Sequence, residues 1–161
     1  MSCWVVNASP LIYLAHLDRL ALLQQEADEI LVPPTVLQEL RAKPDAATSG
    51  IDAASSGWLR CVAPRDRKVV EVLELDLDAG EAEAIALAYE RSTDRLVIDD
   101  LAGRRYARRL GLPVIGTLGL LLAARLRGEL RSLKSEIERL RQAGFYAGEA
   151  LVREILQAAG E

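Results

Sequence analysis

Short, continuous apolar runs alternate with stretches of helical periodicity, and this alternation constrains the fold more than any other feature of the sequence. The runs cover residues 4–6, 30–32, 96–98 and 114–115, and a weaker run at 58–62 is expected at an edge. Strands with one wet face alternate apolar and polar residues, whereas strands buried on both faces are apolar throughout. The pattern therefore predicts a three-layer α/β/α fold with a central, mainly parallel sheet of four to five strands.

The rest of the chain supplies the helical layers. Residues 80–91 are rich in alanine and apolar nearly all round, which is typical of a buried helix. Residues 43–57 are small and polar, and we expect a loop with at most one short helical turn there. A chain of 161 residues, 50% of them apolar, suits a single domain over 1–161. Residues 128–161 are expected to form a helical extension, packed on this domain or on a second subunit.

Composition excludes several kinds of site. His16 is the only histidine, so zinc sites with several imidazoles are excluded. Cys3 and Cys61 form no Cys-x-x-Cys pair, which removes support for a metal knuckle or redox motif. No run approaches the roughly 20 apolar residues that a membrane helix needs, and residues 1–20 lack a secretory signal pattern. We therefore expect a cytoplasmic protein with no membrane partner.

The charge is unevenly distributed along the chain. Residues 101–141 contain ten Lys or Arg and three Asp or Glu, a net +7, whereas the other 120 residues contain ten and twenty-one, a net −11. Clustered positive charge is typical of a surface that binds phosphate groups, although a solvated helix face has the same composition. The candidate nucleic-acid contacts are Arg104, Arg105, Arg108 and Arg109.

Acidic and amide side chains follow the predicted strands. Asn7 follows the first strand, Asp99 and Asp100 follow the fourth, and Glu39 lies in the helix after the second. Ligands of parallel sheets bind at the carboxyl ends of the strands, so these side chains are expected to converge on one pocket. Crowded carboxylates need protons or a cation, and an oxygen-only site favours Mg²⁺ or Mn²⁺. Such ions polarise phosphates and activate water, which indicates phosphodiester hydrolysis.

Each of these residues also has a structural explanation. Asp100 stands where the next helix needs an N-cap. Glu81 and Glu83 lie in the first turn of the alanine-rich helix, where negative charge is favourable. They point about 160° apart, so only one of them can face the pocket well. Taken singly, Glu39 is typical of a solvated helix and Asn7 of a turn, so the prediction depends on their joint placement.

Four segments carry a resemblance to a known family: VVNASPLI at 5–12, PTVLQEL at 34–40, GEAEAIALA at 80–88 and LVIDD at 96–100. In this order and spacing they resemble the PIN domain, the fold of the VapC-type toxin nucleases, over about residues 3–116. The segment GLPVIGTLGLLLA and the helical tail resemble a narrower PIN-like branch of uncharacterised, predicted nucleic-acid-binding proteins.

The resemblance implies a Mg²⁺- or Mn²⁺-dependent endoribonuclease of toxin–antitoxin type, in which a metal-bound water attacks an RNA phosphodiester. It also implies a homodimer and a small antitoxin protein that blocks the site. Carried over by position, the implied catalytic residues are Glu39, Glu83, Asp99 and Asp100. The implied metal ligands are Glu39, Glu83, Asp100 and Asn7, and the supporting residues are Ser9 and Glu81.

Asn7 departs from the family pattern, which has an aspartate metal ligand at this position. An amide oxygen is neutral, so a divalent cation loses much of its attraction to the site. The alternative is therefore a catalytically degenerate PIN-like module that binds RNA or a protein partner without cleavage. A phosphotransfer enzyme is disfavoured because no aspartate follows the first strand, and a dinucleotide-binding domain because no glycine-rich turn does.

Overall fold

The computed structural model describes residues 1–45 and 48–161, and within these ranges the chain forms five strands and ten helices. In chain order they are β1 (Cys3–Val6), α1 (Ala8–His16), α2 (Ala21–Glu26), β2 (Glu29–Val32), α3 (Pro34–Ala42), α4 (Thr48–Ser55), β3 (Leu59–Cys61), α5 (Arg67–Leu73), α6 (Ala79–Arg91), β4 (Arg95–Val97), α7 (Leu101–Arg109), β5 (Val114–Ile115), α8 (Thr117–Leu126), α9 (Leu133–Gln142) and α10 (Glu149–Ala158).

The strands form one parallel sheet in the order β3-β2-β1-β4-β5. Val5 in the central strand pairs with Leu31 of β2 on one side and with Leu96 of β4 on the other. The chain first builds outward from β1 to β3 and then returns to add β4 and β5, so the strand order reverses between β1 and β4. Ligands of open parallel sheets bind at the carboxyl ends of the strands beside such a reversal, where Asn7 and Asp99 lie.

The two faces of the sheet bury separate apolar clusters, because successive strand residues point to opposite faces. Val6 and Val32 contribute to a cluster with apolar residues of α1–α4 and α8–α10. Val5 and Leu31 contribute to the other cluster, which α5, α6 and α7 cover. All four valine and leucine side chains are fully buried. The predicted three-layer α/β/α architecture with a parallel sheet is confirmed.

One predicted loop is a helix. Residues 48–55 form α4 within the segment 43–57, of which residues 46 and 47 lie outside the described residues. Ile51 and Ala54 of α4 are buried in the core beside α1. Serine, threonine and glycine disfavour helix in isolation, but burial of one apolar side overrides so weak a preference. The expectation of a loop was therefore wrong for this stretch.

The last two helices pack against α8 and α1. Glu136 of α9 is buried and accepts hydrogen bonds from Arg19 at 2.8 Å and from Arg139 at 3.2 Å. At the start of α9, the Glu161 carboxylate accepts the backbone N–H of Leu133 at 2.7 Å. These contacts tie α9 to the loop that follows α1 and tie residue 161 to the start of α9. None of the helices in the described ranges is long and apolar enough to cross a membrane.

Candidate active site

Asp99 joins three elements at the carboxyl edge of the sheet. Its Oδ1 accepts the backbone N–H of Thr117 at 2.7 Å, and its Oδ2 accepts the Thr117 hydroxyl at 2.7 Å and the Ser9 hydroxyl at 3.1 Å. Thr117 begins α8 and Ser9 lies in the first turn of α1. The carboxylate therefore lies at two helix N-termini, where backbone dipoles favour negative charge. This geometry gives Asp99 a positioning role, which the sequence did not predict.

Arg104 packs behind this carboxylate. Its guanidinium donates to the carbonyl oxygen of Ile98 at 3.1 Å. Burial lowers the pKa of Arg104, the nearby Arg108 lowers it further, and the Asp99 charge opposes both effects. A Cβ at residue 116 would lie 2.7 Å from Arg104 Nη1 and 2.9 Å from Asp99 Oδ1, so any other residue there would displace one or both of these side chains. The absence of a side chain at Gly116 lets the two charged groups approach the backbone.

Glu81 and Asp100 form a pair of interacting carboxyl groups, in which the Asp100 charge and a side-chain hydrogen bond that requires a proton both raise the pKa of Glu81. Asp100 is also the N-cap of α7 and accepts the backbone N–H of Gly103 at 2.8 Å. Asp78, the N-cap of α6, accepts the backbone N–H of Glu81 at 2.9 Å and adds a third negative charge. Burial, followed by the charges of Asp78 and Asp100, raises the pKa of Glu81 to about 7. The pair therefore concentrates negative charge at this edge, and a proton on Glu81 relieves part of the repulsion.

Asp78, Glu81, Asp99 and Asp100 form a cluster of acidic side chains at the carboxyl edge of the sheet, which we call the acidic edge. Glu39 extends this cluster from α3. Its carboxylate lies over Gly80, where a Cβ would come within 2.7 Å of Oε2 and 2.9 Å of Oε1. Burial raises the pKa of Glu39, as do the charges of Asp78 and Glu83, while the backbone N–H of Gly80 partly offsets them. Glu39 is therefore electrostatically coupled to both ends of the first turn of α6.

Glu83 points away from Asp100. It is 4% exposed, accepts the backbone N–H of Thr35 at 3.1 Å and forms an ion pair with Arg67 at 2.7 Å. Burial alone would raise the pKa of Glu83, but the hydrogen bonds from Arg67 and Thr35 outweigh it and hold the pKa below its ordinary value. The two glutamates face opposite sides, as the helical spacing predicts. The sequence-based assignment made Glu81 a supporting residue, but its carboxyl group is the one that interacts with Asp100.

Asn7 lies between β1 and α1 and is buried, at 6% exposure. Its backbone N–H donates to the carbonyl oxygen of Val97 in β4 at 2.9 Å. Although Asn7 is the N-cap residue of α1, its side chain makes no capping hydrogen bond. The amide is thus held at the reversal of strand order without being used to cap the helix.

The donor chemistry of this edge fits a hard divalent cation. Its candidate ligands are all oxygen atoms, and a cation would relieve the repulsion that raises the Glu81 pKa. Over residues 1–45 and 48–161, no group of three or more His, Cys, Asp or Glu side chains is arranged to hold a metal ion. The carboxyl groups instead meet in smaller sets, Glu81 with Asp100 and Glu39 over Gly80.

The structure divides the four candidate arginines between two faces of α7. Arg104 and Arg108 line a groove that also includes Asp99, whereas Arg105 and Arg109 line a separate cleft beside the loop that precedes α6. Residues four apart share a helix face, and neighbours lie about 100° apart. Arg104 and Arg108 therefore lie on the face of α7 that borders Asp99.

Sequence reasoning missed two residues that shape the site. Asp78 precedes the alanine-rich helix, and Asp-x-x-Glu at 78–81 resembles the capping-box spacing, which was a readable signal. Thr117 follows the last strand at the same edge as Asp99. Its hydrogen bonds to that carboxylate had no local signal, because they join residues 18 positions apart.

Comparison with known proteins agrees with this architecture. A family model described as a PIN domain matches residues 3–161, which include the sheet, the acidic edge and the last two helices. The resemblance drawn from the sequence is confirmed by this match. A search of curated proteins finds no match.

Proposed function

The chain belongs to the PIN-domain family, and from this premise we propose that it is a ribonuclease dependent on Mg²⁺ or Mn²⁺. PIN domains are in general metal-dependent nucleases that act on nucleic acid. The observation that carries the proposal for this chain is the Glu81–Asp100 carboxyl pair, crowded by Asp78, at the carboxyl edge of a parallel sheet. Acids held this close favour a bound proton or a cation.

In this proposal Glu39, Glu81 and Asp100 hold the cation, and Asn7 offers a neutral amide oxygen. A bound divalent cation would neutralise these carboxylates and polarise the phosphodiester of an RNA strand. Asp99 is a positioning residue that holds the first turns of α1 and α8 against the sheet. Because Arg67 and Thr35 occupy its carboxylate, we assign Glu83 a positioning role for α3 in place of metal binding.

Cleavage of RNA tests the proposal, and Asp100→Asn is the informative variant. Asparagine caps helices about as well as aspartate, so this change removes the charge and keeps the N-cap of α7. Asp66→Asn is the matched control, because Asp66 is the N-cap of α5 and accepts the N–H groups of Lys68 and Val69. We expect Mn²⁺-dependent cleavage that EDTA abolishes and that Asp100→Asn lowers at least about tenfold. Equal cleavage by both variants, or cleavage in EDTA, contradicts the assignment.

A second candidate function follows from Asn7, whose neutral side chain stands at the position of a family aspartate. In this case the protein binds RNA or a protein partner without cleaving RNA. Asn7→Asp adds the charge where β1 meets β4, and calorimetry measures Mn²⁺ binding before and after the change. Cleavage that is absent in the parent and gained in Asn7→Asp supports the second candidate. Mn²⁺ affinity that is already substantial and little changed supports the ribonuclease.

The toxin–antitoxin role belongs to the same proposal. A small antitoxin protein would cover the acidic edge, and the active form would be a homodimer. Co-expression with the product of a neighbouring small gene should suppress the RNA cleavage, and small-angle scattering of the purified protein should give the mass of two chains. A monomer at all concentrations would remove the homodimer from the proposal.

A further inference from the structure

A groove beside the acidic edge has no part in the metal site proposed above. It lies between α7 and β5 on one side and α8 and α10 on the other, with a volume of about 480 Å³. Clefts that bind small organic molecules span roughly 300–1,000 Å³. The groove therefore has room for one nucleotide-sized group.

One wall of the groove is basic and begins at the acidic edge. Arg104 and Arg108 line it one turn apart on α7, and Asp99 lies at its inner end. The guanidinium of Arg104 is fixed by the carbonyl oxygen of Ile98. Arg108 is exposed. Two adjacent guanidinium groups supply the planar donor sets that bind phosphate oxygens.

The opposite wall is apolar and aromatic. Phe145 packs its ring edge-on against Tyr13 with centroids 5.0 Å apart, and its backbone N–H donates to Leu140 at 3.0 Å. Gly144 follows α9 and has φ +96°, which permits the chain to turn before Phe145. With its neighbour anchored in this way, Tyr146 projects into solvent and is 90% exposed. An exposed ring on an anchored backbone is a ready surface for stacking.

We propose that this groove binds one nucleotide of single-stranded RNA, adjacent to the phosphodiester at the acidic edge. The phosphate lies against Arg104 and Arg108, and the base stacks on Tyr146 above the apolar side chains of Leu151 and Ile155. Only an unpaired base can leave its neighbours to stack on a protein ring, so the site selects single strands over duplex. The inference rests on the proposed function and adds to it a subsite for the nucleotide next to the cleaved bond.

Binding of a fluorescein-labelled single-stranded oligoribonucleotide, followed by anisotropy in EDTA to prevent cleavage, tests the groove. The test variants are Arg108→Ala and Tyr146→Ala. The matched controls are Arg109→Ala, from the other face of α7, and Tyr89→Ala, an exposed tyrosine of α6 that lines a different cleft. We expect each test variant to weaken binding about fivefold or more, and each control less than twofold.

Two readouts separate contact from structural damage. Arg108→Ala should lower the slope of log affinity against log salt by about 0.7, the value for one phosphate of a single strand, and Tyr146→Ala should leave the slope unchanged. Tyr146→Phe should restore most of the affinity, because phenylalanine keeps the stacking face. A strand with abasic sites should bind the parent and Tyr146→Ala equally.

Several results would overturn the subsite. These are parent-like RNA affinity in both test variants, equal affinity for duplex and single strand, or no RNA binding by the parent. A change in oligomeric mass in Tyr146→Ala with unchanged RNA affinity would make the groove a protein interface instead. Cleavage with Mn²⁺ is scored separately. If the test variants lose RNA binding but the parent does not cleave RNA, the subsite is supported and the ribonuclease is contradicted. If the parent cleaves RNA but the test variants bind it as well as the parent does, the ribonuclease is supported and the subsite is contradicted.

Discussion

Replacing Glu81 by glutamine removes a charge from the most crowded point of the acidic edge. Burial and the charges of Asp78 and Asp100 raise the pKa of Glu81 from 4.5 to about 7. Between these values the folded protein keeps a proton that the unfolded chain has lost, so the stability of the parent falls as pH rises from about 4.5 to about 7. Below pH 4.5 the stabilisation is fully present, and above pH 7 it is lost.

The size of the effect follows from the same shift. At about 1.4 kcal/mol per pH unit, moving the pKa from 4.5 to about 7 corresponds to roughly 3 kcal/mol between the pH extremes. Glu81 is only partly buried, and its charge also interacts favourably with the N-terminus of α6. Solvent screening and this dipole reduce the expected effect to about 1–2 kcal/mol. The free energy of unfolding of Glu81→Gln minus that of the parent should therefore be about 1–2 kcal/mol more positive at pH 8 than at pH 5.

Urea unfolding in EDTA, followed by the fluorescence of Trp4 and Trp58, measures the free energies at both pH values. Glu138→Gln, on the exposed side of α9, is the control for loss of a glutamate charge. Added Mn²⁺ should stabilise the parent more than Glu81→Gln at pH 8, because the parent carboxylate binds the cation and the amide binds it less well. A difference between Glu81→Gln and the parent that is the same at pH 5 and pH 8 would refute the electrostatic reasoning.

Three further changes test the surrounding structure. Gly80→Ala should displace the Glu39 carboxylate and lower RNA cleavage, while thermal unfolding shows stability unchanged or raised by up to about 1 kcal/mol, because alanine favours helix. Arg67→Ala leaves the buried Glu83 without its cationic partner. Urea unfolding should show a loss of stability of about 1–3 kcal/mol at pH 7 that shrinks as pH falls below 4.5, where Glu83 takes up a proton. An equal loss at pH 3 would contradict the ion-pair explanation. Asp99→Ala removes three hydrogen bonds to a charged acceptor and should cost about 2–4 kcal/mol by the same assay, so a loss under 1 kcal/mol would argue against its positioning role.

The sheet and its acidic edge follow largely from local sequence. Apolar runs such as 96–98 can be buried only between two helical layers, and parallel strands bring their carboxyl ends to one side. This reasoning alone places Asn7, Asp99 and Asp100 at a common edge. The N-cap role of Asp100 was also readable, because a cap depends only on residues within one turn.

The rotation of each helix against the sheet was decided by tertiary packing. Helical spacing required Glu81 and Glu83 to face apart, but the pairing of Glu83 with Arg67 and of Glu81 with Asp100 depends on where α5 and α7 lie. In the same way, helical spacing alone could not show that Arg104 lines the groove beside Asp99 while Arg105 lines a separate cleft. Periodicity sets the angle between side chains of one element, whereas the direction of the whole set comes from burying its apolar face against distant parts of the chain.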